Sequence, residues 1–163
     1  MKFYIVMLVL ISVLSINSAV TQSAWFPMNS GTNVRLNSIC LIRTMQGGIF
    51  FVAGDSGVIL YSETNGESWN QVSVPSEYRD KSFNSVSFSV IDSGIVVGEN
   101  GLILKLKKDV QGYTIDSIPV TNPDPVKKSL RDMILLPYPA RAGFAVGDSG
   151  LIMRTTNRGA TWL

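Results

Sequence analysis

Two eight-residue stretches, SETNGESW at 62–69 and TTNRGATW at 155–162, place short polar side chains at the same spacing before a tryptophan. Ser62, Thr64 and Ser68 in the first, and Thr155, Asn157 and Thr161 in the second, are residue types that hydrogen-bond nearby backbone N–H groups in turns. Gly66 and Gly159 permit the turn, and Trp69 and Trp162 are large enough to wedge between packed sheets. This chemistry locks a hairpin; a ligand-binding use of the same residues is the alternative. The other candidates are basic: KLKKD at 105–109 and PVKKSLRD at 125–132. Lys107, Lys108, Lys127 and Lys128 in these runs could meet an acidic partner. A solvated hairpin and a proline-bearing loop are the preferred account, since the net field is weak.

Catalytic machinery is sparse. The chain has no His and a single Cys, so the commonest general base and metal ligand is missing and no intramolecular disulfide can form. Cys40, in the apolar run SICLI, is expected to pack as a small hydrophobe, with no His to activate it. Neither a Cys cluster nor an acidic calcium-loop pattern is present. No catalytic, cofactor or metal site is therefore expected. The net charge of +2 falls to +1 without Lys2, too weak a field to argue for nucleic acid or an anionic membrane.

The first residues, MKFYIVMLVLISVLSINSA, run from one Lys through an apolar stretch to small residues. That order is the pattern of a secretory signal peptide. The stretch is shorter than the roughly 20 apolar residues of a membrane span, and contains Ser12 and Ser15. Cleavage is expected after Ala19, with Ala24 as second choice. It would leave one domain, 20–163, with no integral membrane span, secreted or periplasmic.

The elements that position the two octapeptides repeat along the chain. FFVAGDSGVILYS from Phe50, GIVVGENGLILKL from Gly94 and GFAVGDSGLIMRT from Gly143 align on Gly54, Gly98 and Gly147. A second set, LNSICLI, FNSVSFSV and LRDMILL, starts at Leu36, Phe83 and Leu130, 47 residues apart each time. Short Val-, Ile- and Phe-rich runs separated by DSG or ENG read as strands joined by tight turns. A period in the mid-forties built from such runs is that of propeller blades. The sequence predicts an all-β chain of three four-stranded antiparallel blades, at about 36–75, 83–120 and 130–163. Strands are expected at 36–43, 49–54, 58–62 and 69–74, then at 83–90, 94–98, 102–107 and 113–120, then at 130–136, 143–147 and 151–155.

Each octapeptide follows a GDSG turn and resembles the Asp-box of BNR-repeat β-propellers, whose pattern is Ser-x-Asp-x-Gly-x-Thr-Trp. Thr64 and Asn157 stand at the Asp position, and the second unit has no box, reading KDVQGYTI there. The combination SGT…LNSI…GDSGVILYS…NGESW is similar to the photosystem II stability/assembly factor family, from about Trp25 to Leu163. That resemblance implies an exported propeller acting as a non-enzymatic assembly or binding module for a protein or peptide, engaged through loops at a propeller face. Photosynthetic members carry an arginine-rich patch; the arginines here, from Arg35 to Arg158, are scattered and none matches it. The alternative is an N-terminal fragment of a larger secreted BNR-repeat protein, glycan-binding or sialidase-like. A sialidase needs an arginine cluster and a Tyr–Glu pair from several blades, which three units do not supply.

The third unit stops at Leu163, where its fourth strand would begin. Two arrangements would complete it. More blades would follow in a longer chain, or two chains would form a six-blade homodimer in which each N-terminal strand, beginning WFPMNSG at Trp25, completes the other's third blade.

Overall fold

The computed structural model describes residues 25–45, 47–116, 120–124 and 127–163. The expected leader at 1–19 and the second cleavage choice at Ala24 lie outside the described residues, as do positions 117–119 of the strand expected at 113–120.

Alternating apolar residues and glycine turns produce three antiparallel sheets in chain order. The first contains β1 (Leu36–Thr44), β2 (Gly47–Gly54), β3 (Ile59–Ser62) and β4 (Asn70–Gln71). The second contains β5 (Phe83–Val90), β6 (Ser93–Gly98), β7 (Ile103–Asp109) and β8 (Gly112–Ile115). The third contains β9 (Leu130–Leu135), β10 (Gly143–Gly147) and β11 (Ile152–Thr155). This sheet has the three strands expected before Leu163, and Leu163 exchanges backbone hydrogen bonds of 2.8 and 2.9 Å with Arg154, where the fourth strand was expected to begin. Asn70 pairs with Tyr61 at the same repeat positions in the first sheet.

The strands join through turns that explain the repeated glycines. Ser56–Gly57, Asn100–Gly101 and Ser149–Gly150 all have both residues at positive φ. Two consecutive left-handed residues match the twist of the flanking strands. Gly98 and Gly147 are extended, and for them, as for Gly54, the constraint is space. A Cβ at each would run into the carbonyl oxygen of the residue before the inner strand: Arg35, Ser82 and Ser129 respectively. Those three carbonyls also accept from the N–H of Asp55, Glu99 and Asp148. One backbone contact thus ties the second and first strands of every blade.

β5 lies between β1 and β9, so the first strands of the three blades stand side by side. Between blades one and two sits a core that includes Phe51, Ile59, Val86, Phe88, Leu104 and Tyr113. Phe51 stacks on Phe88 at 4.1 Å and meets Tyr113 edge-on at 4.7 Å. Between blades two and three lies a second core with Ile95, Val97, Ile103, Met133, Ala145 and Trp162.

Small polar residues on the inner strands set the register of one blade on the next. Ser38 Oγ accepts from the Val86 N–H at 3.4 Å, and Cys40 receives the Phe88 N–H. One blade further on, Ser85 Oγ accepts from Met133 N–H at 3.2 Å and Ser87 Oγ from Leu135 N–H at 2.9 Å. Asn37 and Asn84 add donors to the Phe83 and Leu130 carbonyls at 3.0 and 2.7 Å. Ser89 continues the row, but two residues beyond Leu135 stands Pro137, which has no N–H to give. The Ser89 hydroxyl is buried without a partner.

Ser87→Ala strands the buried Leu135 N–H and is expected to cost about 1–3 kcal/mol. Ser89→Ala removes an unpaired hydroxyl and should be neutral or stabilising. Urea denaturation of both variants checks the contrast; equal losses would contradict the ladder.

The box tryptophans differ in their surroundings. Trp162 is 3% exposed in the core between blades two and three. Its hairpin sits directly on blade two, since a Cβ at Gly159 would lie 2.6 Å from Ile95 Cγ1. Trp69 is half-buried against Val52, Val58 and Leu60 of its own blade and Val34. The wedge between sheets expected at both positions is formed at Trp162, because among the described residues no blade lies on the outer side of Trp69. Trp162→Ala should cost about 3–5 kcal/mol, as for a core aromatic. Trp69→Ala should cost nearer the roughly 1 kcal/mol of an ordinary substitution. Denaturation midpoints of the two variants decide this.

Candidate functional site

The boxes form the same network from different side chains. Ser62 Oγ accepts from Gly66 N–H at 2.9 Å and Thr64 N–H at 3.2 Å, and Thr64 Oγ1 accepts from Ser68 N–H at 2.9 Å. In the third blade Thr155 Oγ1 accepts from Gly159 N–H at 2.9 Å and Asn157 Oδ1 from Thr161 N–H at 2.9 Å. Asn157 Nδ2 also donates to Thr161 Oγ1 at 2.8 Å. Thr64 and Asn157 serve as acceptors at the position that the box pattern gives to Asp. Ser62 and Thr155 are buried, and their oxygens face inward onto loop N–H groups. These atoms are committed to the hairpin.

The four lysines divide between opposite rims. Lys107 and Lys108 lie near the end of β7, beside the β5–β6 turn, where Lys108 N–H reaches the Asp92 carbonyl. Each faces a carboxylate, Lys107 to Asp116 at 3.7 Å and Lys108 to Glu63 at 3.5 Å. Lys108 Nζ is also 5.3 Å from the Tyr113 ring centre. Lys127 and Lys128 belong to the rim of glycine turns: a Cβ at Gly101 would lie 3.0 Å from Lys127 Cα. Asp124 holds this loop, accepting from the Lys128 N–H at 2.8 Å. β7 runs between the two pairs, so they do not form one patch.

On the rim of Lys107 and Lys108 the ends of the three inner strands enclose a groove of about 790 Å³. Leu41 comes from blade one, Phe88 and Ile91 from blade two, and Pro137 and Tyr138 from the segment after β9. Arg43 is the charged residue of the lining, and Ser89, its hydroxyl turned inward, lies at the floor. The Arg158 guanidinium stands 5.5 Å from the Tyr138 ring centre, which joins the second box to the groove wall. Such a mostly apolar cleft with few polar groups is the usual form of a binding site.

Reactive groups are muted. Burial pushes the Cys40 thiol up, against a smaller opposing effect of the Phe88 N–H. Its thiolate is thus scarce at neutral pH, as its place in the inter-blade ladder requires. The Tyr113 phenol is also raised by burial, and donates to the Ile91 carbonyl at 3.2 Å. On the other rim the bidentate hydrogen bonds from Arg131 hold the Asp148 carboxyl below its ordinary range. Among the described residues no three His, Cys, Asp or Glu side chains gather to hold a metal.

The sequence missed the groove. Arg43, Phe88, Ser89, Pro137 and Tyr138 come from three repeats and share no motif. The sole signal was LPYP at 136–139, an aromatic residue between prolines in a surface turn.

No family model matches the chain, and no curated protein does. Solved structures do. One, YCF48 bound to D1 peptide, has a TM-score of 0.61 at 22% identity, over 79% of this chain and 40% of that one. Another, YCF48 from Cyanidioschyzon merolae, has a TM-score of 0.59 at 20% identity, over 78% and 36% of the two chains. The chain thus spans about two fifths of the length of the propellers it matches. Its three successive antiparallel sheets are blades of a β-propeller, in the arrangement found in the YCF48 structures.

Proposed function

We propose that the chain is an exported, non-enzymatic binding or assembly module that takes an extended peptide segment of a protein partner into the groove between its inner-strand ends. The observation that carries this is the groove itself: apolar walls from three blades and one cation at Arg43. Loops gathered at one end of a rigid scaffold are where proteins place recognition. The solved neighbour with its D1 peptide supports a peptide ligand for this fold. A segment with apolar side chains and a carboxylate opposite Arg43 suits the lining. Lys107 and Lys108 lie on the same rim and could extend that contact, whereas Lys127 and Lys128 face away.

Selection of displayed peptides on the purified protein should enrich apolar segments bearing a carboxylate. Arg43→Glu combined with Tyr138→Ala should weaken the selected peptide about tenfold or more, the equivalent of roughly 1.4 kcal/mol. Both residues are exposed, so the melting temperature should not move. Reversing Lys107 and Lys108 should weaken binding, and reversing Lys127 and Lys128 should leave it unchanged. Binding indifferent to the groove variants, or capture of glycans in place of peptides, would overturn this function.

Export rests on the leader pattern of residues 1–19. N-terminal sequencing of the protein recovered outside the cytoplasm should begin at Val20. A protein retained in the cytoplasm with Met1 intact would contradict it.

A further inference from the structure

The groove does not end at the inner strands. At Thr44 and Ile91 it meets a second depression, a notch of about 360 Å³ between blades one and two, with a blade of this chain on each side. Glu63 and Asn65 line it from blade one, Ile91 and Lys108 from blade two. The repeat explains the space. Blade one carries the box after β3, whereas blade two has none and joins β7 to β8 through Val110 and Gln111 alone. Within the box, Ser62, Thr64 and Ser68 are turned onto their own loop. Glu63, between them, instead reaches across the blade boundary to Lys108. The pair is loose: Nζ and Oε1 are 3.5 Å apart, and the Lys108 and Glu63 side chains stay 36% and 51% exposed. A close charge-assisted hydrogen bond would measure roughly 2.7–2.9 Å. Lys108 also has the Tyr113 ring centre 5.3 Å away. Exposed pairs of this kind hold each other weakly, so both charges keep capacity for a ligand.

We infer that the notch takes the side-chain carboxamide of a glutamine or asparagine belonging to the peptide in the groove; the inference rests on that peptide reading. A cationic side chain would meet Lys108 and an anionic one Glu63, so net charge of either sign is disfavoured. An apolar side chain would strip water from the pair and return no hydrogen bond. A carboxamide is neutral and carries both N–H donors and a carbonyl acceptor. Its N–H groups suit the Glu63 carboxylate and its oxygen suits the Lys108 ammonium. One long contact is then replaced by two charge-assisted hydrogen bonds. The passage between groove and notch is also built for a backbone. Gly47 and Gly48 line it without side chains, and a Cβ at Gly47 would meet nothing within 4 Å. That leaves room for a peptide chain to cross from one to the other.

A displayed library of peptides with an apolar, carboxylate-bearing core and randomised flanks, selected on the purified protein, should return Gln or Asn at one flanking position. Replacing that residue by Ala in a synthetic peptide should weaken binding about tenfold, as for lost hydrogen bonds to charged groups. Replacement by Glu or Lys should weaken it at least as much. Glu63→Ala combined with Lys108→Ala should weaken the Gln or Asn peptide by the same factor and leave the Ala peptide unchanged, with an unaltered circular dichroism spectrum. The double-mutant cycle isolates the coupling between notch and carboxamide. Core peptides that bind with random flanks would overturn the notch and leave the groove standing. So would a protein variant that weakens both peptides equally. A library from which no core binds would overturn the two together.

Discussion

A blade of this protein cannot hide its own apolar residues. Each sheet is apolar on both faces, so every face must meet another sheet or remain open to water. Phe51, Ile59 and Ala53 face forward from blade one, and Val86, Phe88 and Leu104 face back from blade two. Because the strand period is two, a slip of one residue would turn these sets the wrong way. The rest of the structure depends on this face-to-face match. It places the inner strands side by side, makes the groove at their ends, and determines which copies of a repeated position are buried.

Apolar matching alone is permissive about register, and the polar ladder removes that freedom. Hydrogen bonds from Val86, Phe88, Met133 and Leu135 N–H groups reach Ser38, Cys40, Ser85 and Ser87 across the blade boundary. An inner strand has its neighbours in the sheet on one side only, so its remaining N–H groups need acceptors elsewhere. Small residues serve because they bring an acceptor close without separating the sheets. The lone cysteine fits here: its sulfur is an acceptor in a half-buried row. Where proline removes the donor, at Pro137, the row ends and the groove begins.

The boxes and glycine turns hold the two rims in shape by side-chain and backbone hydrogen bonds that satisfy their own loops. That leaves recognition to what the loops frame. The groove side combines an apolar floor with Arg43 and the outlying Lys107 and Lys108, whose charges are partly countered by Asp116 and Glu63. On the opposite rim the prominent pair is Arg131 with Asp148, already matched to each other. Exposed pairs of this kind contribute little to stability.

The sequence by itself determined the all-β class and the repeated order of short antiparallel strands. These follow from local rules: a period of two in apolar residues, paired left-handed turns at DSG and ENG, and short polar side chains that close a loop on themselves. The box networks were legible for the same reason, since every partner lies within four residues. Only the tertiary structure decided that Trp162 is enclosed while Trp69 is half-open, because that depends on whether another blade stands beside each. Only it separated Lys107 and Lys108 from Lys127 and Lys128, residues that composition groups together and the length of β7 keeps apart. The groove was invisible for the deeper reason that its walls come from three repeats brought together by blade packing. Repetition in sequence predicts what the blades have in common, and the groove is built from residues in which they differ.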